Sequence, residues 1–234
     1  GYTFLGFKEK GTENVVQEIT IENGSTGNKE FSAVWEIINY TINFELNGGT
    51  LEDTLVNNYN VESENIKITY VPTKLGYTFL GWQGTGITYP TKEFTIVKGS
   101  IGDRSYEAVW EINTYTLSFN LNGGSAEGFT FKQSYTVGDE IVINCEVTLK
   151  GHTFLGWSGT DLTGNVKQFT ISKGSIGNRE YEANWQINTY TYIFYNENNE
   201  VIKQNTINYG EAIVKPESPI KNSIDGVNYW FNGW

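Results

Sequence analysis

Methionine is absent from the 234 residues, cysteine and histidine occur once each, and proline occurs four times. A single cysteine excludes an intrachain disulfide, so packing alone must hold the fold. A single histidine excludes a Ser-His-Asp set repeated along the chain. With no methionine there is no start residue, and the stretch is expected to have been cut from a longer polypeptide. No secretory-signal pattern and no apolar run of membrane-spanning length occurs, so no membrane insertion is expected within it. Helical spacing is missing too, because no window sustains apolar residues at i, i+3, i+4 and i+7. Positive charge is scarce: 16 basic residues face 27 acidic ones, giving a net charge of -11. No basic run exists to track phosphates, so nucleic acid is excluded as a partner and an anionic membrane surface is disfavoured.

What is present is aromatic and periodic. Hydrophobic residues make up 38% and aromatics 15%, enough to bury cores and to exclude a disordered tail. Gly1-Tyr2-Thr3-Phe4-Leu5-Gly6-Phe7 recurs as Gly76-Tyr77-Thr78-Phe79-Leu80-Gly81-Trp82 and as Gly151-His152-Thr153-Phe154-Leu155-Gly156-Trp157, each step being 75 residues. The chain ends on a looser copy, Tyr229-Trp230-Phe231-Asn232-Gly233-Trp234. Trp35, Trp110 and Trp185 keep the same step and close the segments FSAVW, YEAVW and YEANW. Glycine turns at residues 24–27, 99–102 and 174–177 precede them, and NYTINFELNGG, NTYTLSFNLNGG and NTYTYIFYNENN follow. Motifs locked in one register mean an array of small units. The frame predicts complete units at 40–112 and 113–187, the last part of a unit at 1–39, and the first part of a divergent unit at 188–234.

Strand signals dominate each unit. Tyr115, Leu117, Phe119 and Leu121 alternate with Thr116, Ser118 and Asn120, the period of a half-buried strand. Tyr106, Ala108 and Trp110 alternate in the same way with Glu107, Val109 and Glu111, and Asn122-Gly123-Gly124 supplies residues that tolerate positive φ in a turn. The tryptophans at 35, 110 and 185 are expected in equivalent core positions. Between Trp110 and Tyr115 lie only Glu111, Ile112, Asn113 and Thr114, a joint too short and too poor in Gly, Ser and Pro to be flexible.

The fourth unit completes a pattern. Tyr190 and Phe194 are followed by Tyr209-Gly210-Glu211-Ala212-Ile213, by Pro216, Pro219 and Lys221, and by Phe231-Asn232-Gly233-Trp234. Together with GYTFLGW, these residues resemble the Listeria–Bacteroides repeat, which includes the internalin B repeat. The resemblance covers essentially the whole chain. It implies an extracellular repeat of bacterial surface proteins, β-grasp-like, associated with adhesion, display and host contact, and without common catalytic residues. The middle units depart from it, carrying glycine-turn segments where a β-grasp unit has a helix and keeping only Pro72 and Pro90 in the first complete unit. The expected fold is therefore mainly β: tandem small sheets, β-grasp-like (α+β with little helix), in an elongated array.

No constellation for chemistry emerges. His152 stands where the preceding unit has Tyr77, so it reads as a repeat substitution and not a catalytic base. Cys145 alternates with Ile143 and Val147 and reads as a buried strand cysteine. Asp139 and Glu140 are adjacent carboxylates that would point to opposite strand faces, and Gly138-Asp139 reads as a turn and not a calcium loop. Lys98-Gly99-Ser100-Ile101-Gly102 has its lysine first and a strand after it, unlike a phosphate loop. Lys98 and Lys173 correspond between units while the first has Asn23, which argues against a repeated Lys–Asn crosslink. The repeated tyrosines sit at strand-alternating positions, as core residues do, and do not form a sugar-stacking face. No catalytic, cofactor-binding or metal-binding residue is assigned, and no cofactor is expected. The expected function is a non-catalytic, extracellular repeat region of a bacterial surface protein, a semi-rigid stalk that projects a distal domain. The alternative is an adhesive module that binds a host protein or glycan. Expected partners are neighbouring repeats of the same chain and, for the alternative, that host ligand.

Overall fold

The computed structural model describes residues 1–234 and contains strands and turns but no helix. Eighteen strands form, and their boundaries repeat with the sequence. Residues 1–39 give β1 (Tyr2–Glu9), β2 (Val15–Val16) and β3 (Phe31–Ile37). The next repeat gives β4 (Tyr40–Glu45), β5 (Asn58–Tyr59), β6 (Ile66–Ile68), β7 (Tyr77–Gly84), β8 (Ile87–Thr91), β9 (Phe94–Ile96) and β10 (Arg104–Ile112). The third gives β11 (Thr114–Asn120), β12 (Ser134–Thr136), β13 (Ile141–Ile143), β14 (His152–Gly159), β15 (Phe169–Ile171) and β16 (Arg179–Ile187). The last gives β17 (Thr189–Tyr195) and β18 (Val201–Asn208). The chain divides into two compact units, residues 1–113 and 114–234, each holding one full repeat and one partial one.

Both full repeats are built alike. The main sheets have the orders β5-β4-β10-β7-β8 and β12-β11-β16-β14. The first and last strands of a repeat lie side by side and parallel: Tyr106 pairs with Phe44, and Tyr181 with Phe119. The strand carrying the aromatic-glycine motif runs antiparallel on the other side. A two-stranded ribbon, β6-β9 or β13-β15, supplies the second layer. In one repeat the core joins Ile42, Tyr59, Ile68, Phe79, Trp82, Ile96, Tyr106 and Ala108. In the next it joins Leu117, Tyr135, Ile141, Ile143, Val147, Trp157, Ile171, Tyr181 and Ala183.

Period-two alternation locates most of this core but misplaces the tryptophans. Trp110 and Trp185 are only partly buried, and Trp35 is 56% exposed. The indoles at the centre are Trp82 and Trp157, each 0% exposed. Strict alternation would put Trp82 on the face of Leu80, but the ladder shifts between Val109 and Trp110, opposite Gly81. This bulge gives β7 an extra residue, so Phe79 and Trp82 both face inward. Gly81 is required there: its φ is +147°, and a Cβ would lie 2.5 Å from the backbone nitrogen of Thr91. The same shift recurs at Gly156, which turns Trp157 inward. Each buried indole removes roughly 150–250 Å² from water, an upper figure of about 4–6 kcal/mol.

The partial repeats keep their share of the pattern. β1 and β3 pair as β7 and β10 do, including a shift between Phe4 and Gly6. β17 pairs with β18, Tyr190 opposite Ile207, as Tyr115 pairs with Tyr135.

Candidate functional site

Residues weighed for chemistry stand apart and are used structurally. His152 is partly buried on β14, its Nδ1 lying 3.0 Å from the Lys150 carbonyl. Asp139 closes a turn: its Oδ2 accepts hydrogen bonds from Thr136 N–H at 2.7 Å and from the Thr136 hydroxyl at 2.9 Å. The backbone hydrogen bond from Thr136 is the main cause holding its carboxyl below the ordinary value. Glu140 beside it is exposed. Cys145 is partly buried, and burial pushes its thiol pKa up, away from a reactive thiolate. Lys98 and Lys173 are exposed, and Lys98 binds Glu64 at 2.6 Å, so neither has the buried setting a crosslink needs. Residues 99–102 form a turn in which Gly99 and Gly102 have φ of 83° and 88°.

Two polar arrangements repeat instead. The first ties the last strand of a repeat to its interior. Arg104 Nε donates to the Tyr59 hydroxyl at 2.8 Å, and that hydroxyl donates to the Gly102 carbonyl at 2.6 Å. Arg179, Tyr135 and Gly177 reproduce the set at 2.8 and 2.6 Å. Arg179 is 9% exposed and also donates to Asp161 at 2.7 Å. Burial disfavours its charge, but hydrogen bonds to Tyr181, Tyr135 and Asp161 outweigh this and hold the guanidinium protonated. Sequence periodicity offered a signal for this group, since Tyr59 and Arg104 both recur in the next repeat as Tyr135 and Arg179.

The second arrangement is the seam where one repeat passes into the next. The glycine opening each aromatic motif accepts a hydrogen bond from the residue that leaves the last strand: Ile38 N–H to Gly1, Asn113 N–H to Gly76 and Asn188 N–H to Gly151, each at 2.9 Å. Thr78 and Thr153 hydroxyls donate to Asn113 and Asn188 side chains at 2.6 Å. Within residues 1–113, the Tyr2 hydroxyl donates to Glu62 at 2.5 Å and Asn60 donates to Asn39 at 3.0 Å. A Cβ on Gly1 would lie 2.1 Å from the side chain of Val61. Within residues 114–234, Tyr209 N–H donates to the Asn188 carbonyl at 2.8 Å, and a Cβ on Gly151 would lie 1.9 Å from the Tyr209 ring. The seams are therefore hydrogen-bonded and close-packed. Only Ile38 and Asn39 separate β3 from β4, and only Asn188 separates β16 from β17.

A shallow polar groove of about 570 Å³ lies over the sheet between Ser118, Asn120, Ser158, Thr160, Glu180 and Glu182. It contains no histidine, cysteine or aromatic ring apart from Tyr181 at its floor. No cluster of three or more His, Cys, Asp or Glu residues is placed to hold a metal ion.

Comparison with known proteins places these repeats. The chain is 30% identical over 189 residues to a protein of Evansella cellulosilytica provisionally named a Gly-rich membrane protein, covering 81% of this chain and 21% of that one. A second protein of that organism, provisionally named a membrane protein, is 32% identical over 190 residues, covering 81% and 27%. Internalin H of Listeria monocytogenes is 30% identical over 139 residues, covering 59% and 24%. The chain thus spans about a quarter of the length of these relatives. No solved structure matches. The model of the Listeria-Bacteroides repeat domain matches residues 40–100, 115–180 and 190–234, once over each sheet whose first strand carries the Tyr-Thr-x-x-Phe pattern. The chain belongs to the Listeria-Bacteroides repeat domain family.

Proposed function

We propose that this chain is a non-catalytic, extracellular repeat region of a bacterial surface protein, working as a semi-rigid stalk that projects a distal domain. The observation that carries the reading is the seam. A joint of one or two residues, locked by a backbone hydrogen bond to glycine and by side-chain contacts, resists bending far more than a Gly/Ser linker does. A stalk requires that property, and a repeat array extends it over a length that grows with repeat number. The similarity to Internalin H and to two proteins named for membranes supports a surface setting.

Small-angle scattering tests the proposal. A compact globule of this length would have a radius of gyration of about 17–18 Å, whereas an array spanning on the order of 90 Å would have one of roughly 26 Å with a skewed distance distribution. The larger value is expected. A compact profile would remove the physical basis of the stalk and favour a folded module that binds host protein or glycan.

A further inference from the structure

The two full repeats share one turn but treat the arginine beside it differently. Gly84-Thr85-Gly86 in one repeat corresponds to Gly159-Thr160-Asp161 in the next. The Thr85 and Thr160 N–H groups donate to the carbonyls of Ser105 and Glu180, each at 3.0 Å. The threonine hydroxyls accept from the N–H groups of Ser105 and Glu180, each at 3.1 Å. Gly86 and Asp161 share a left-handed backbone, with φ of 75° and 60°. The last strand of each repeat opens on an arginine, Arg104 or Arg179, whose Nε donates to Tyr59 or Tyr135 at 2.8 Å.

Only Arg179 has a counter-ion. Its Nη1 donates to Asp161 Oδ2 at 2.7 Å. The Asp161 side chain is 73% exposed and that of Arg179 only 10%, so the guanidinium reaches a carboxylate at the surface from within. A left-handed backbone strains a residue that carries a side chain, and the charge-assisted bond offsets that strain. Gly86 brings no carboxylate, and a Cβ at that position would meet nothing within 4 Å. Arg104 is partly buried. Burial disfavours its charge, but hydrogen bonds to Tyr59 and Tyr106 outweigh this and hold it protonated without an acid nearby. A guanidinium carries donors on both Nη atoms besides Nε, and at Arg104 no carboxylate takes them.

We propose that Arg104, at the open turn formed by residues 84–86, is a binding site for a carboxylate from outside the chain, the aspartate or glutamate side chain of a partner protein. The sibling repeat shows what the place accepts: an aspartate carried on an exposed turn, taking one hydrogen bond from Nη1. The partner's carboxylate occupies the same position against Arg104, which has the same tyrosine behind its Nε and the same turn beside it. Tyr89, three residues along from Gly86 on β8, is 80% exposed, and Arg and Tyr are residue types that protein interfaces favour at their strongest contacts. One carboxylate on one arginine makes a weak contact, and the net charge of -11 opposes an acidic partner at long range. The affinity of a single contact is therefore in the millimolar range. The site adds a contact to the proposed stalk and does not depend on it.

Arg104 and Arg179 are the only arginines in the chain, so their two Nε–H resonances in proton–nitrogen NMR spectra of the full chain report on the site and on its filled counterpart. The probe is a blocked Gly-Asp-Gly tripeptide, compared with Gly-Asn-Gly and with glucuronate. The Arg104 resonance is expected to shift and saturate with Gly-Asp-Gly while that of Arg179 stays in place, and Gly-Asn-Gly should move neither. Gly86→Asp supplies the carboxylate from within and is expected to weaken the Arg104 response about tenfold or more. Asp161→Gly, a change that a left-handed backbone favours, is expected to make Arg179 respond as Arg104 does. An Arg104 resonance that does not saturate, a response equally strong in Gly86→Asp, an Arg179 that stays silent in Asp161→Gly, or equal binding of Gly-Asn-Gly would overturn the proposal. Tighter binding of glucuronate than of the acidic peptide would overturn the assignment to a protein partner.

Discussion

The two central tryptophans differ in one hydrogen bond, and the difference should be measurable. Trp82 and Trp157 are both 0% exposed and both ringed by phenylalanines, with Phe44 and Phe79 at 5.0 and 5.5 Å from Trp82 and Phe119, Phe131 and Phe154 at 5.7–5.8 Å from Trp157. Trp82 Nε1–H donates to the Tyr70 carbonyl at 3.0 Å, but Trp157 Nε1–H finds no acceptor in the protein. Cys145 occupies the place of Tyr70 in that repeat. Replacing either indole by phenyl removes about 40 Å³, which at about 24 cal/mol per Å³ costs about 1 kcal/mol. Trp82→Phe also strands the Tyr70 carbonyl, adding about 1–2 kcal/mol for a total of about 2–3. Trp157→Phe removes a buried donor that already lacks its partner. The relief of about 1–3 kcal/mol offsets the cavity, and the net change is expected within about 1 kcal/mol of zero, or stabilising.

Urea unfolding gives the overall change, and hydrogen exchange of peptides from each repeat assigns it, since tandem repeats need not unfold as one unit. The 59–72 and 134–147 segments report on Trp82 and Trp157. Equal destabilisation by the two substitutions, within about 0.5 kcal/mol, would refute the reasoning, because the indole N–H would then contribute the same in both sites.

Two further outcomes are expected. Asp103 Oδ1 accepts the Thr41 N–H at 2.7 Å, and this bond holds its carboxyl below the ordinary value of 3.8. Its contribution is therefore complete above the ordinary carboxylate range and is lost as pH falls through the lowered value. Asp103→Asn copies Asn178, which accepts from Thr116 N–H at 2.9 Å. It should leave the thermal midpoint at neutral pH nearly unchanged and flatten the acid limb, and a fall at neutral pH with the acid limb intact would contradict this. Gly84 has φ +149°, and a Cβ would lie 2.1 Å from the Ser105 carbonyl oxygen. Gly84→Ala should cost roughly 3 kcal/mol, whereas Gly86→Ala, in open space, should cost only the roughly 1 kcal/mol of a left-handed residue. Equal losses in equilibrium unfolding would mean that backbone approach is not what selects glycine at 84.

The strand faces were legible in the sequence because each residue's side follows from local alternation. Leu117 is 3% exposed between exposed Thr116 and Ser118, as the pattern predicts. The buried tryptophans were not legible, because their side depends on a one-residue slip against a strand far along the chain. The slip did leave a trace: Phe79 and Trp82 stand three apart, a spacing that fits one face only if Gly81 forms a bulge. The parallel pairing of first and last strands was likewise beyond a local pattern. Arg104 meets Ile42 only through the crossover that carries the chain around the core.

The repeated residues have little in common with a ligand site and much in common with a joint. The glycines that recur admit a bulge or let backbones touch, the tryptophans at 82 and 157 fill the centre, and Arg104 and Arg179 pin the last strand to the interior. Each such residue fixes how one strand sits against another. Surface residues that differ between the repeats sit elsewhere, as in Gln83–Lys92 against Ser158–Lys167. Loops are where binding residues commonly sit, but loops also vary without any ligand, so that difference does not by itself identify a binding face. The restraints that repeat are those that set the relation of strand to strand and of repeat to repeat. A chain whose repeated positions are spent in this way is organised around geometry, and geometry is what the proposed stalk draws on.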